Sequence, residues 1–359
     1  MKKSQLKKFA FFLPQFHEIP ENDKWWGKGF TEWNNVRKAI PLFKEHVQPK
    51  KPLNNNYYNL LDKKTMVWQT NLMKESGLDG FIYYHYYFNG KKLLEKPAEN
   101  LLRWKEIPQH FFFCWANHSW RRSWEGKTDI LIKQTYGSKN NWEEHFQYLL
   151  PFFKDSRYEK RNGKPVFMIF NTDFSVKEEL FNYFNKRCKE EGFKGICLIE
   201  TYKGENITEF NNNRSSKAEF TFYREPNVSQ LNFIKANIFR RLYHHVNKQL
   251  REKGVIQKPY IISGNILMSI KLKKEPLGKN IANGLWFEWD NTPRHKGRGY
   301  VITPYDHKMF EDYMKLINNQ EYLFINAWNE WAEGMILEPT VENKDKYLKW
   351  LKEYKSSEA

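Results

Sequence analysis

The sequence predicts an α/β chain folded as a (β/α)8 barrel, a single domain over residues 1–359 with long loops after its strands. Three observations carry this expectation. Eight short runs of apolar and aromatic residues recur, nearly continuous rather than alternating, which suits strands buried on both faces in a parallel sheet. Polar stretches and helical-period segments fill the intervals between them, and eight such units over this length match the barrel. Finally, no Gly/Ser or Pro tract divides the series, and the first run leads into "LPQFHEIPEN" rather than the glycine-rich phosphate loop of a doubly wound sheet.

The predicted strands are "FAFFLP" (9–14), "GFIYYH" (80–85), "FFFCWAN" (111–117), "PVFMIFN" (165–171), "GICLIET" (195–201), "AEFTFY" (218–223), "GLWFEWD" (284–290) and "YLFINAW" (322–328). Helices are expected over 62–76, ending at Gly77, over 141–154, over 176–191, ending at Gly192, and over 229–253, ending at Gly254. Further helices are expected over 306–319, opening at Asp306 after Pro304, and over 343–354. Asp and Asn starts and Gly stops are the usual caps. Two crossovers carry shorter helical patterns, near 97–105 and 206–213. Residues 15–61 form an unusually long first loop, and loops of that length tend to be functional.

Composition narrows the function. Aromatics make up 17% of the chain, with 14 Trp, 20 Tyr and 28 Phe. Rings in that number suit a sugar-binding cleft, where they stack on the apolar face of a pyranose while polar neighbours take its hydroxyls. The net charge of +17 admits nucleic acid, an anionic membrane surface or an acidic polysaccharide as partners. Its lysines are scattered through "MKKSQLKK", "KLKK" and the last helix, without the focused stripe of a nucleic-acid groove, so nucleic acid is not expected. Cys114, Cys188 and Cys197 lack metal-ligand spacing and read as reduced thiols. The basic start precedes too short an apolar stretch for a secretion signal, and no apolar run is long enough to span a bilayer. The expectation is a cytoplasmic protein with no membrane span, open to peripheral contact with an anionic surface.

At the C-terminal ends of the runs, polar residues gather into a common rim. The chain delivers Gln15 and His17, then His85, then Trp115, Asn117 and His118, followed by Asn171, Glu200, Arg224 with Glu225, Asp290 with Arg294, and finally Asn326, Asn329, Glu330 and Glu333. The last group sits in "NAWNEWAEG" (326–334). In a continued strand Glu330 and Glu333 would point to opposite faces. If the chain turns helical just after Trp328, the same spacing puts both on one face with Cβ atoms about 5–6 Å apart, and Gly334 permits the exit. Two carboxyls so close and desolvated by indoles cannot easily both ionise, which supplies an acid beside a base for glycosidic-bond chemistry. Glu288 or Asp290, at the end of the neighbouring run, is a second possible partner for Glu330, with "WDNTPR" offering Asp290 and Arg294 as a clamp. No metal-ligand set, GxSxG elbow or Walker loop occurs, so no cofactor or metal is expected.

Six stretches resemble one family: "FFLPQFHEIPENDKWWGKGFTEWNNV", "DGFIYYHYYFNGKKLLEKP", "FCWANHSW", "YLLPFFKDSRYEKRNGKPVF", "WDNTPR" and "FINAWNEWAEGMILEP". They are similar to the WbsX-like proteins of bacterial surface-polysaccharide gene clusters, over residues 9 to the end. That family looks like a relative of glycoside hydrolase family 99, the endo-acting α-mannosidases and α-mannanases, whose motif Asn-Glu-Trp-His-Glu-Gly reads "NEWAEG" here, with Ala332 in place of the histidine. The resemblance implies a barrel and a retaining mechanism through a 1,2-anhydro sugar. Glu330 would deprotonate the sugar 2-hydroxyl and Glu333 would protonate the leaving oxygen.

The first expectation is therefore a retaining glycoside hydrolase acting on an oligo- or polysaccharide of the bacterial surface, with an acidic glycan among the candidates. Glu330 and Glu333 are its catalytic pair, and Glu32, Trp33, His85, Trp115, Asn117, Asp290, Arg294 and Trp328 its candidate substrate-binding residues. A glycosyltransferase of lipopolysaccharide, capsule or exopolysaccharide assembly is the alternative, and a non-catalytic glycan-binding barrel the third reading.

Overall fold

The computed structural model describes residues 6–122, 129–204 and 206–356. Eight strands form the barrel: β1 (Lys7–Phe12), β2 (Gly80–Phe88), β3 (Phe111–Trp115), β4 (Lys164–Ile169), β5 (Cys197–Tyr202), β6 (Ala218–Tyr223), β7 (Ile281–Trp286) and β8 (Tyr322–Asn326). Each pairs in parallel with the next, and β1 pairs with both β2 and β8, so the sheet closes. All eight expected strands are present. The seventh stops short of its expected end, because Trp289–Asp290 joins a separate small sheet with Tyr260–Ile262 and Tyr300–Ile302, and the eighth ends at Asn326, beyond which Asn329–Glu330 pairs with Met335–Ile336.

Ring contacts between strands that are not neighbours show which side chains fill the barrel. Phe9 of β1 meets Phe112 of β3 at 5.1 Å, Phe112 meets Phe324 of β8 at 5.6 Å, and Phe324 meets Phe222 of β6 at 5.3 Å between ring centroids. Above that layer Phe11 touches Phe222 and Tyr84. The alternate residues face the helices, as with Phe113 against Phe152 and Phe167 against Phe184. A packed aromatic lumen and an apolar outer face explain why the runs read as continuous.

The outer helices are α1 (Lys63–Glu75), α2 (Lys96–Arg103), α3 (Lys139–Lys154), α4 (Lys177–Glu190), α5 (Ile207–Asn212), α6 (Asn227–Lys235), α7 (Ile238–Glu252), α8 (Gly264–Lys274), α9 (His307–Leu316) and α10 (Lys346–Ser356). The helix expected over 229–253 is two helices. Asn237 between them is extended, and its side chain accepts from the Arg240 N–H, capping α7 as a new start. The sequence reading also missed α8. Its first residue, Gly264, lies where a Cβ would come within 2.0 Å of the Thr303 carbonyl oxygen, so only glycine fits. No helix of the described residues is long and apolar enough to cross a membrane.

Candidate active site

A cleft of about 310 Å³ opens where the barrel strands end, near the lower limit for small-molecule sites. Glu330, Glu333, Arg294 and Arg224 line it, together with an aromatic wall of Tyr84, Tyr86, Trp120 and Phe170. Larger hollows of about 440 and 400 Å³ occur elsewhere, but neither gathers the strand ends.

The acid pair comes from the chain just past β8. Asn329–Glu330 forms a short antiparallel pairing with Met335–Ile336, and Trp331–Glu333 closes it as a 3-10 turn. Residues three apart nearly eclipse in that geometry, so both carboxyls face the cleft. Gly334, at φ 63°, makes the left-handed exit, and a Cβ there would lie 3.0 Å from Asp290. The expected coil is present as one tight turn within a hairpin. Asn329 pins the hairpin to β1: its side chain accepts from the Leu13 N–H at 2.7 Å and donates to the Leu13 carbonyl at 3.0 Å.

Arg294 organises the charges. Its guanidinium donates to Glu32 at 2.7 and 2.9 Å, reaches Glu330 at 3.4 Å and pairs with Glu333. Glu32 belongs to a short helix (Glu32–Lys38) in the long first loop and is fully buried, so that loop does contribute to the site, from behind the arginine. Trp289 donates its indole N–H to Glu333 at 3.2 Å. Burial first, then the neighbouring Glu333 charge, raises Glu330 to about 8 against the pull of Arg294. Burial also works to raise Glu333, but Arg294, Arg224 and His295 outweigh it and hold this carboxyl below the usual range. Burial and the neighbouring charge thus favour the proton on Glu330, while the arginines favour the charge on Glu333. The resemblance assigns the acid and base roles in the opposite order. Burial lowers His118, at the cleft edge, to about 4, with Lys203 and Arg224 adding to the effect, so it faces the cleft as neutral imidazole.

Several expected site residues lie outside the cleft, and strand alternation is the main reason. On β2, Tyr84 and Tyr86 point inward, whereas His85 turns outward and meets His145 of α3 at 2.8 Å. Trp115 likewise packs on His145 and donates to the Tyr87 carbonyl. Asn117 bridges to the Asn171 backbone in both directions. Trp33 donates to the Tyr58 carbonyl at 2.8 Å and packs on Trp331, and Trp328 is buried against Phe81, so the indoles expected to flank the acids lie in the core beneath them. Asp290 makes no clamp with Arg294. It accepts from Gln48 and Thr292 and pairs with His46 at 2.8 Å, tying down the first loop. Glu288 pairs with Lys50 at 2.7 Å and does not face Glu330. Of the catalytic and substrate-binding residues proposed from the sequence, the cleft brings together Glu330, Glu333 and Arg294, with Glu32 behind, and from the wider expected rim it also takes Gln15, His118 and Arg224. Tyr84, Tyr86, Trp120 and Phe170 were not singled out. The run "GFIYYHYYF" carried the signal for Tyr84 and Tyr86, but its inward parity shows only in contacts such as those of Tyr84 with Phe11 and Phe170.

The sequence model of the family described as Glycosyltransferase WbsX matches residues 8–351. Two curated relatives, each an uncharacterized protein WxcX from a strain of Xanthomonas campestris pv. campestris, are 31% identical over 346 residues, covering 92% of this chain and 47% of the relative. The chain thus spans about half the length of the curated relatives it matches. Among solved structures, a glycoside hydrolase-like protein aligns with a TM-score of 0.60 at 12% identity, over 98% of this chain and 94% of its own. The GH99 endo-alpha-mannosidase from Bacteroides thetaiotaomicron aligns with a TM-score of 0.54 at 11% identity, over 98% of both chains. At such identities the likeness is one of fold.

Proposed function

The chain belongs to the WbsX family, and from that membership and the chemistry of the cleft we propose that it is a carbohydrate-active enzyme domain that transfers a glycosyl group to a sugar acceptor of a bacterial surface polysaccharide. The supporting observation is two carboxyls held on a single turn by one arginine against an aromatic wall, with the proton favoured on Glu330 and the charge on Glu333. In this reading Glu333 takes the proton of the acceptor hydroxyl, whose oxygen bonds to the anomeric carbon as the C–O bond to the leaving group breaks, and Glu330 gives its proton to the departing oxygen. The pair ends with its proton exchanged and its net charge unchanged. Reversing the roles, as the resemblance implies, needs a ligand that draws Arg294 away from Glu333. The tyrosines, Trp120 and Phe170 offer stacking faces to a pyranose. Arg121, Arg224 and Arg294 at the cleft favour a donor or acceptor carrying phosphate or carboxylate.

Hydrolysis, the first expectation from the sequence, is the second reading. It is favoured by Glu330, because a retained proton helps most when the leaving group is a poor one such as a sugar hydroxyl. The family description favours transfer. Incubation with nucleotide sugars, lipid-linked sugars and bacterial polysaccharides in heavy-oxygen water separates the two. Acceptor-dependent product without label supports transfer, and labelled reducing ends support hydrolysis. Glycan binding with no product, unchanged in Glu333→Gln, would leave a binding barrel instead.

A further inference from the structure

We propose that α7 is a surface-lying membrane helix that docks the chain on anionic lipid. This does not depend on the reaction assigned above. A surface helix ordinarily turns its apolar stripe to the core and its polar face to water. Helix α7 does the reverse. Toward the body of the protein it presents Arg251, whose guanidinium lies 4.7 Å from the Tyr260 ring and 5.8 Å from that of Tyr300, and His244, whose Nε2 is 3.0 Å from the Tyr300 hydroxyl. Outward it presents Ile238, Phe239, Leu242, Tyr243 and Val246, which follow the helical period along one stripe. All five are exposed, Phe239 by 79% and Ile238 by 68%. Val255 continues the patch: its N–H bonds the Leu250 carbonyl at the helix end, and its side chain is 69% exposed.

The charges around the stripe identify what covers it. Arg240, Arg241 and Lys248 are exposed on the helix itself, with Lys235, Lys253 and Lys258 exposed before and after it. Glu252 is the sole acidic residue from 235 to 258. An apolar stripe flanked by cations matches an acyl surface beneath anionic headgroups. A second copy of this chain fits less well, since a symmetric contact would bring the two sets of cations together. The 15-residue helix is about 22 Å long, too short to span a bilayer but suited to lying in its interface. Docking there would also bring the lipid near the cleft, because Tyr300 stacks on Trp289 at 5.8 Å and Trp289 donates to Glu333.

Sedimentation with vesicles tests this, using phosphatidylcholine alone and phosphatidylcholine mixed with phosphatidylglycerol. The 359-residue chain is expected to sediment with the anionic vesicles, less so as salt rises, and not with phosphatidylcholine alone. The double variants Phe239→Ser/Leu242→Ser and Arg240→Glu/Arg241→Glu should each lower the bound-to-free ratio at least about tenfold. Their melting curves should stay unchanged, because the altered side chains are exposed. Wild-type protein that stays in solution with anionic vesicles overturns the proposal, as does equal sedimentation by wild type and variants. A wild-type dimer that the apolar variant converts to monomer would assign the face to a second copy and overturn it too.

Discussion

Arg294 shows how closely single side chains control this site. It touches three carboxylates, and a planar fork can serve them together where a point charge cannot. Arg294→Lys should fold but lose at least about 10²-fold in turnover, since the turn that carries the acids would no longer be held from one point. Arg294→Ala should cost about 3–5 kcal/mol in denaturant unfolding, because fully buried Glu32 is left without its cation. The pH profile follows from Glu330. Its carboxyl is raised to about 8, so the acid form persists below that pH and turnover should fall as pH climbs through it. Glu330→Gln should be slow throughout, and an aryl glycoside whose leaving group needs no proton should restore it while leaving Glu333→Gln slow. Rescue of Glu333→Gln alone would reinstate the role order implied by the resemblance. At this scale the sequence showed the two acids and the arginine, because short spacing and a rare motif carry them. It misplaced His85 and Trp115 because alternation reveals that neighbours on a strand differ in facing, not which of them faces in.

The short hairpin after β8 shows what an element adds. Its position depends on Glu338, a buried carboxyl that accepts from the Tyr58 hydroxyl, the Gln69 amide and the Trp331 indole, each at 2.7 Å. Burial raises Glu338 from 4.5 to about 7 despite those donors. Its folded-state pKa exceeds the unfolded one, so the stability it contributes is fully present below about 4.5 and is lost as pH rises through about 7. The shift corresponds to roughly 3 kcal/mol at most. Melting temperatures measured from pH 5 to 8 should fall along that interval in wild type, and the slope should flatten in Glu338→Gln. A slope unaltered by that substitution would place the proton elsewhere. The sequence revealed that helices and strands exist here but not how they break. Asn237 reads as an ordinary helical position until its side chain is seen capping α7, and α8 lacks the one-sided apolar pattern that would have marked it.

For the whole molecule, the eight apolar runs were legible as a closed barrel because closure requires no more than strands buried on both faces, in parallel and in order. The exposed stripe of α7 was not legible, since a helical period names two faces without saying which one meets the core. Global stability can be read from the cysteines. Cys114 lies in β3, Cys197 in β5 and Cys188 in α4, and all three are free and fully buried. Burial pushes Cys188 up to about 12 and Cys114 and Cys197 higher still, so the nucleophilic thiolate is scarce even where a reagent could enter. Local fraying of loops exposes none of them, because two sit on barrel strands and the third on the barrel side of a packed helix. An aromatic disulfide reagent should therefore react with none in native buffer and with all three in guanidinium. At intermediate denaturant Cys114 and Cys197 should react at one common rate, set by opening of the whole barrel. If Cys197 reacts first, β5 and β6 open as a separate unit and the closed sheet does not unfold as one.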